Sequence, residues 1–246
     1  GKPATRTDSR EKVTGKAIYI HDLKIPGMLH GKILYSSHPH AKIKRIDTSQ
    51  AEKLPGVKAV LTGYNIPPVK FGVYKDNVPL KANKVCSLRD EIAAVAATDL
   101  EIAEEALHLI KVEYEILPAI FDPEEAMKEG AILIHEEHVG GKEKKPTNVL
   151  NLPWRLIAGD VEEARKNSAY VAEDRFKVTW VTHCCMGTSG CVAQFDLKNN
   201  LTVYSITQIP SLEQRDFTDA LAAMGLKGKK ARVIKTMIGG GFGSKL

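Results

Sequence analysis

Two stretches of this chain combine residue types that bind a ligand without adding charge. In Ile238-Gly-Gly-Gly-Phe-Gly-Ser-Lys245, three consecutive glycines are followed by one large aromatic and a further glycine. Such a backbone bends through φ > 0 and brings its amides against a ligand with no Cβ in the way. Upstream, Leu201-Thr-Val-Tyr-Ser-Ile-Thr-Gln208 ends in an amide side chain just before Ile209-Pro210. The glycines fit neither common phosphate pattern. A Walker loop requires Lys and then Ser or Thr after its last glycine, and here Ser244 precedes Lys245 and Leu246 follows it. In a dinucleotide fingerprint starting at Gly239, the third glycine would fall on Ser244.

Other candidate groups are scattered. His30, His38, His40, His135 and His183 include no i, i+4 pair on an expected helix with a third ligand in view, so no metal site is expected. The four cysteines, Cys86, Cys184, Cys185 and Cys191, lack iron–sulfur spacing. Adjacent Cys184 and Cys185 would point to opposite faces of an extended chain, which argues against a disulfide framework.

The elements that must position the two stretches are legible from periodicity. Leu201–Gln208 alternates with β-branched residues, and Ala231–Ile238 is a short apolar run, so both read as strands that deliver their loops from a sheet edge. Ser211 is expected to cap a helix running to about Met224, stopped by Gly225. Gly190–Asp196 is expected to pair with Leu201–Gln208 across the turn Leu197-Lys-Asn-Asn200, and Ala169–Thr182 reads as a long strand. Asp160 caps a short helix.

The first half reads as strands over Ala17–Ile20, Met28–Tyr35, Ala41–Ile46, Val57–Thr62, Ile92–Ala97 and Lys111–Leu117. A short helix is expected over Ser49–Leu54. A second, capped by Asp99, runs to Ile110 with Ile102, Ala106 and Leu109 on one face, and a third opens at Asp122-Pro. Gly63–Lys84 is a long irregular connection. The fold class is α+β. A charged, aperiodic, glycine-containing stretch from Glu136 places a linker over 136–156, between a domain over 1–135 and another over 157–246.

Composition excludes some classes of function. Against 30 acidic residues stand 35 basic ones, a net +5 too evenly mixed to imply nucleic acid. The 43% hydrophobic content is that of an ordinary globular core, and no stretch approaches the roughly 20 apolar residues of a membrane span. The N-terminus has no leader pattern, so the cytoplasm is the expected location.

Several motifs in series carry a resemblance. They are Val13-Thr-Gly-Lys-Ala17, Pro26-Gly-Met-Leu-His30, Ser37-His-Pro-His-Ala-Lys-Ile43, Ile46-Asp-Thr48, Leu54-Pro-Gly-Val57, Val112-Glu-Tyr-Glu-Ile-Leu-Pro118, Gly159-Asp160-Val161, Thr207-Gln208 and Gly239–Lys245. In this order they resemble the molybdenum-cofactor-binding large subunit of the xanthine dehydrogenase and aldehyde oxidase family, over nearly the whole chain.

The resemblance implies an a/b hammerhead domain followed by the first, incomplete part of a molybdopterin-binding α+β domain. It implies molybdopterin, in its cytosine dinucleotide form, with molybdenum in the complete enzyme, and [2Fe–2S] clusters and FAD on partner subunits. By the same resemblance Gln208 donates its side-chain amide to an oxo ligand of molybdenum, and Gly240, Gly241, Phe242 and Gly243 bring backbone amides to the cofactor. Preorganised neutral donors suit an oxo group. The family's activating glutamate lies far downstream, so no catalytic residue is expected in this chain and it is not competent alone. Its partners would be the remainder of the subunit, the iron–sulfur and FAD subunits, and an aromatic, heterocyclic or thioester substrate.

There are departures from the family. Leu246 stands where purine-hydroxylating relatives place a glutamate, which argues against a xanthine-type substrate. Cys86-Ser-Leu-Arg-Asp90 replaces an Arg-Tyr-x-Gly-Glu pattern, and His183-Cys-Cys-Met-Gly-Thr188 loses an acid at Gly187. The segments Phe71-Gly-Val73 and Asn77-Val-Pro-Leu80 look most like the hydroxybenzoyl-CoA reductase branch. Two alternatives remain open: a non-catalytic interaction or assembly module that keeps the fold without the cofactor, and a nucleotide-binding enzyme using the glycine loop.

Overall fold

A computed structural model describes residues 1–72, 75–140, 145–149 and 156–245. Part of the expected linker, Val73 and the Leu246 position lie outside the described residues.

The N-terminal arm carries one short helix, α1 (Ser9–Val13). Strands β1 (His30–Tyr35), β2 (Ala41–Asp47), β3 (Val57–Thr62), β4 (Lys84–Val85), β5 (Glu91–Ala97) and β6 (Lys111–Ile116) follow, with α2 (Leu100–Leu109) between the last two. Two antiparallel sheets result, one ordered β1-β5-β3 and the other β4-β2-β6. The apolar run Ile92-Ala-Ala-Val-Ala-Ala97 follows from its central place. Ala93 and Val95 pack with Ala106 of α2, whereas Ile92 packs with Ala41, Ile43 and Val85 of the other sheet. A strand covered on both faces has no polar side to alternate with. Helix α2 starts where its sequence dictates, the Asp99 carboxylate accepting from Glu101 N–H at 2.7 Å.

Residues 118–182 form a separate compact unit. It holds α3 (Pro123–Ala126), the two-residue strands β7 (Val139–Gly140) and β8 (Lys145–Pro146), and α4 (Val161–Asn167). Asn148 ties it together, accepting from Ile134 N–H at 2.9 Å and donating to the Ala126 and Ile132 carbonyls at 3.0 and 2.8 Å. The strand expected over Ala169–Thr182 joins no sheet, and Tyr170, Phe176, Val178 and Trp180 are all at least 90% exposed. Alternation makes a strand only where a neighbour supplies the ladder.

Beyond it come β9 (Cys191–Phe195), β10 (Leu201–Ser205), α5 (Pro210–Ala223) and β11 (Ala231–Lys235). These belong with residues 1–117 in one unit. β10 pairs antiparallel with β9 and parallel with β11, and α5 makes the crossover. Leu221 of α5 is buried with Leu201, Val203 and Ala231. The helix begins one residue before the expected Ser211 cap, with Pro210 in the first turn, where a missing N–H costs nothing.

Two further expectations shrink. Ser49–Leu54 forms only a 3-10 turn at Ala51–Lys53, and Ala17–Ile20 makes a single bridge, Tyr19 to Met237, before a second such turn at Ile20–Asp22. No helix among the described residues is long and apolar enough to cross a membrane.

Candidate functional site

Parallel pairing of β10 and β11 decides where the site lies. Both strands end at the same edge, so the residues after them, Thr207-Gln208 and the glycine loop, emerge side by side. That edge, at the carboxyl ends of parallel strands, is where ligands bind in open α/β sheets. β9 runs the other way, with Cys191 opposite Ser205, and so brings the segment 183–190 to the same edge.

All five candidate binding residues gather there. Gly243 N–H donates to Gln208 Oε1 at 3.0 Å. This bond fixes the amide: with its oxygen taken, Gln208 has its Nε2 left as the donor. A Cβ at Gly241 would sit 2.6 Å from Gln208 Oε1, so glycine there is what lets the amide keep this position. Phe242 adopts φ = +51° and Gly243 φ = +87°, so the loop turns through two consecutive residues at positive φ. A bulky residue held at positive φ is strained, and Phe242 as a whole is 75% exposed rather than packed in a core. Among the described residues, neither Gly241 N–H nor Phe242 N–H has a protein partner. Two backbone amides and the Gln208 Nε2 are therefore uncommitted, neutral donors, and this set fits the oxo or phosphate oxygens of a molybdopterin group.

Residues that sequence reasoning did not assign complete the arrangement. Gly187 and Gly239 pass backbone to backbone, Gly187 N–H donating to Gly239 O at 2.9 Å, and a Cβ on either would meet the other's backbone at 2.7 Å. The glycine that replaces an acid at 187 thus has a packing reason. Cys185 Sγ lies 3.6 Å from Gly241 O and 3.5 Å from Ser244 Oγ. Lys245, which the sequence gives no role of its own, is buried, and its ammonium donates to the Gly187 and Gly240 carbonyls at 2.5 and 2.7 Å. His21 Nε2 and Thr188 Oγ1 are 2.7 Å apart, which ties the arm to the same segment. A pocket of about 880 Å³ abuts the loop at Gly240, lined also by Arg6, Asp8, Lys12, Lys16 and Lys235. Asp8 pairs with Arg6 and Lys12 at 2.9 and 2.7 Å, and these cations hold its carboxyl far below the usual range.

The family described as "Aldehyde oxidase and xanthine dehydrogenase, a/b hammerhead domain" matches residues 14–118, and the "Molybdopterin cofactor-binding domain" matches 142–246. The chain belongs to the xanthine dehydrogenase and aldehyde oxidase family. Within that family it is similar to part of the large, molybdopterin-binding subunits. A probable xanthine dehydrogenase subunit of Bacillus subtilis (strain 168) is 37% identical over 247 residues, 99% of this chain and 31% of that one. The nicotinate dehydrogenase large molybdopterin subunit of Eubacterium barkeri is 36% identical over 248 residues, 100% of this chain and 55% of that one. Among solved structures, reconstituted CO dehydrogenase from Oligotropha carboxidovorans superposes with a TM-score of 0.82 at 34% identity, over 99% of this chain and 31% of that one. The chain thus spans between 31% and 55% of the length of these relatives.

Proposed function

We propose that this chain supplies one wall of the molybdopterin site in a molybdenum hydroxylase, with Gln208, Gly240, Gly241, Phe242 and Gly243 facing the cofactor. The observation that carries the reading is the Gly243 N–H to Gln208 Oε1 bond, which leaves the glutamine's Nε2 as a donor beside two uncommitted loop amides. The complete subunit would comprise the hammerhead over 1–135, a linker over 136–156, and a molybdopterin-binding region that opens at 157–246. When bound, the molybdenum group would supply two-electron chemistry on a substrate carbon, with oxygen drawn from water.

The residues here do what neutral donors can do: they hold and orient oxygen atoms, and they bring no charge or proton of their own. The proton-transferring group would lie in the rest of the subunit. The cofactor would be the cytosine dinucleotide form, and electrons would leave through [2Fe–2S] and FAD groups on partner subunits in the cytoplasm. Relatives are named for xanthine, nicotinate and carbon monoxide. An aromatic or heterocyclic substrate is the class we assign.

The test is made on the full-length protein that carries this sequence, by measuring molybdenum content and turnover of Gln208→Ala and Gln208→Glu. Loss of one preorganised donor costs about a hundredfold in rate, and the glutamate, which has no N–H to donate, should fare no better. Wild-type turnover in both variants, or a wild-type protein purified from its source without molybdenum, would refute the reading in favour of a non-catalytic assembly module.

A further inference from the structure

Lys245 is the point where the three chain segments of the site are joined. Its ammonium donates to Gly187 O in the segment before β9 and to Gly240 O in the glycine loop, and its own carbonyl accepts from Gln208 N–H at 2.7 Å. The residue is 7% exposed. Among the described residues no carboxylate pairs with it, and the partners its ammonium has there are two carbonyl dipoles. Burying an ammonium this way is costly, and a neutral side chain of the same length would fill the space more cheaply.

We infer that Lys245 is the positioning residue of the candidate cofactor wall. In a trans peptide the C=O and the following N–H point in opposite directions. Drawing Gly240 O toward the ammonium therefore turns Gly241 N–H away from it, which is how that amide comes to be uncommitted. The bond to Gly187 O holds the Gly187–Gly239 contact closed from the other side, and the Lys245 carbonyl fixes the end of β10 from which Gln208 projects. A positive charge close behind uncommitted donors also favours an oxyanion or a phosphate in front of them. The role in loop geometry stands without the cofactor; the choice of an anionic ligand rests on the function proposed above.

The experiment is hydrogen–deuterium exchange of the full-length, cofactor-free protein, read on peptides covering 205–210 and 238–245. Lys245→Met keeps the length of the side chain and removes its donors. The Gln208 and Gly243 amides, both hydrogen-bonded within this cluster, should exchange about tenfold faster or more than in the wild type, as loss of charged hydrogen bonds implies. Lys245→Ala in buffer with propylammonium should recover protection, whereas 1-propanol, of equal length and uncharged, should not. Wild-type exchange in the methionine variant, or equal recovery with propanol, would overturn the inference and leave the lysine as packing. The alanine comparison stays decisive if the methionine variant fails to fold. Molybdenum measured on holoprotein preparations separates the two claims: recovery by propylammonium in a protein that never carries molybdenum supports the lysine's role and refutes the cofactor.

Discussion

Gly241 and Gly187 do different work, and their alanine variants should fail differently. At Gly241 the added Cβ would meet the far end of Gln208, a side chain that can swing aside. Gly241→Ala should therefore keep the fold and lose the bond from Gly243 N–H, so full-length enzyme would unfold at the wild-type temperature while turnover drops by roughly a hundredfold. Unchanged turnover would show that the amide needs no fixing. At Gly187 the obstacle is the Gly239 backbone, which cannot step aside without moving the loop. Gly187→Ala should cost about 1–3 kcal/mol as overpacking, read by denaturant unfolding. In the sequence, Gln208 and the loop glycines were legible because amide donors and missing Cβ atoms have their own residue types. Lys245 was not, because a lysine's letter does not say whether its ammonium meets solvent or two carbonyls. Gly187 was read only as a lost acid, since a backbone contact to Gly239 leaves no mark on local sequence.

Among the elements, the strands and α2 were legible where burial on one or both faces wrote a period into the chain. Ala41–Asp47 and Val57–Thr62 fall within a residue of expectation. The misses lie where partners decide: Ala17–Ile20 finds only one bridge, and the cap of α5 shifts because Pro210 already suits the first turn. A long-range tie that no periodicity could show anchors α5. Lys75, from the irregular 63–84 connection, bonds Asp216 at 2.7 Å and Asp219 at 3.2 Å. Desolvation pushes the Asp216 carboxyl up, yet Lys75, helped by the Gly72 backbone and Arg215, holds the group below its ordinary value, while Lys75 itself is raised chiefly by its bond to Asp216. The depressed carboxylate contributes stability above its unfolded pKa, near 3.9, and loses it as pH falls through the folded value. The raised lysine contributes below its unfolded pKa, near 10.4, and loses it as pH rises through its folded value. Asp216→Asn should thus be less stable than wild type between about pH 4 and pH 10, with the difference vanishing in stronger acid. Denaturant midpoints compared at neutral and acid pH check this; a difference independent of pH would place the effect in packing.

For the molecule as a whole, the unpaired stretch Ala169–Thr182 is the feature that most needs explaining. Phe176, Val178 and Trp180 alternate with Lys177 and Thr179, which is the pattern of a strand with one apolar face, yet that face is open to solvent and makes no ladder. An apolar, unpaired edge of this kind is a template for another strand and a hazard without one. The relatives that match nearly all of this chain are about two to three times its length, so the strand's neighbour is expected in the remainder of such a subunit. Trp180 reports on this directly, because Trp154 is the chain's other tryptophan and Trp154→Phe leaves a single probe. The 246-residue chain should then show red-shifted emission open to iodide quenching, and should associate as its concentration rises. The same substitution in a polypeptide of the relatives' full length should give blue-shifted emission shielded from iodide. Equal quenching in both would mean that this strand pairs with nothing in the larger subunit, and that its alternation serves a separate partner.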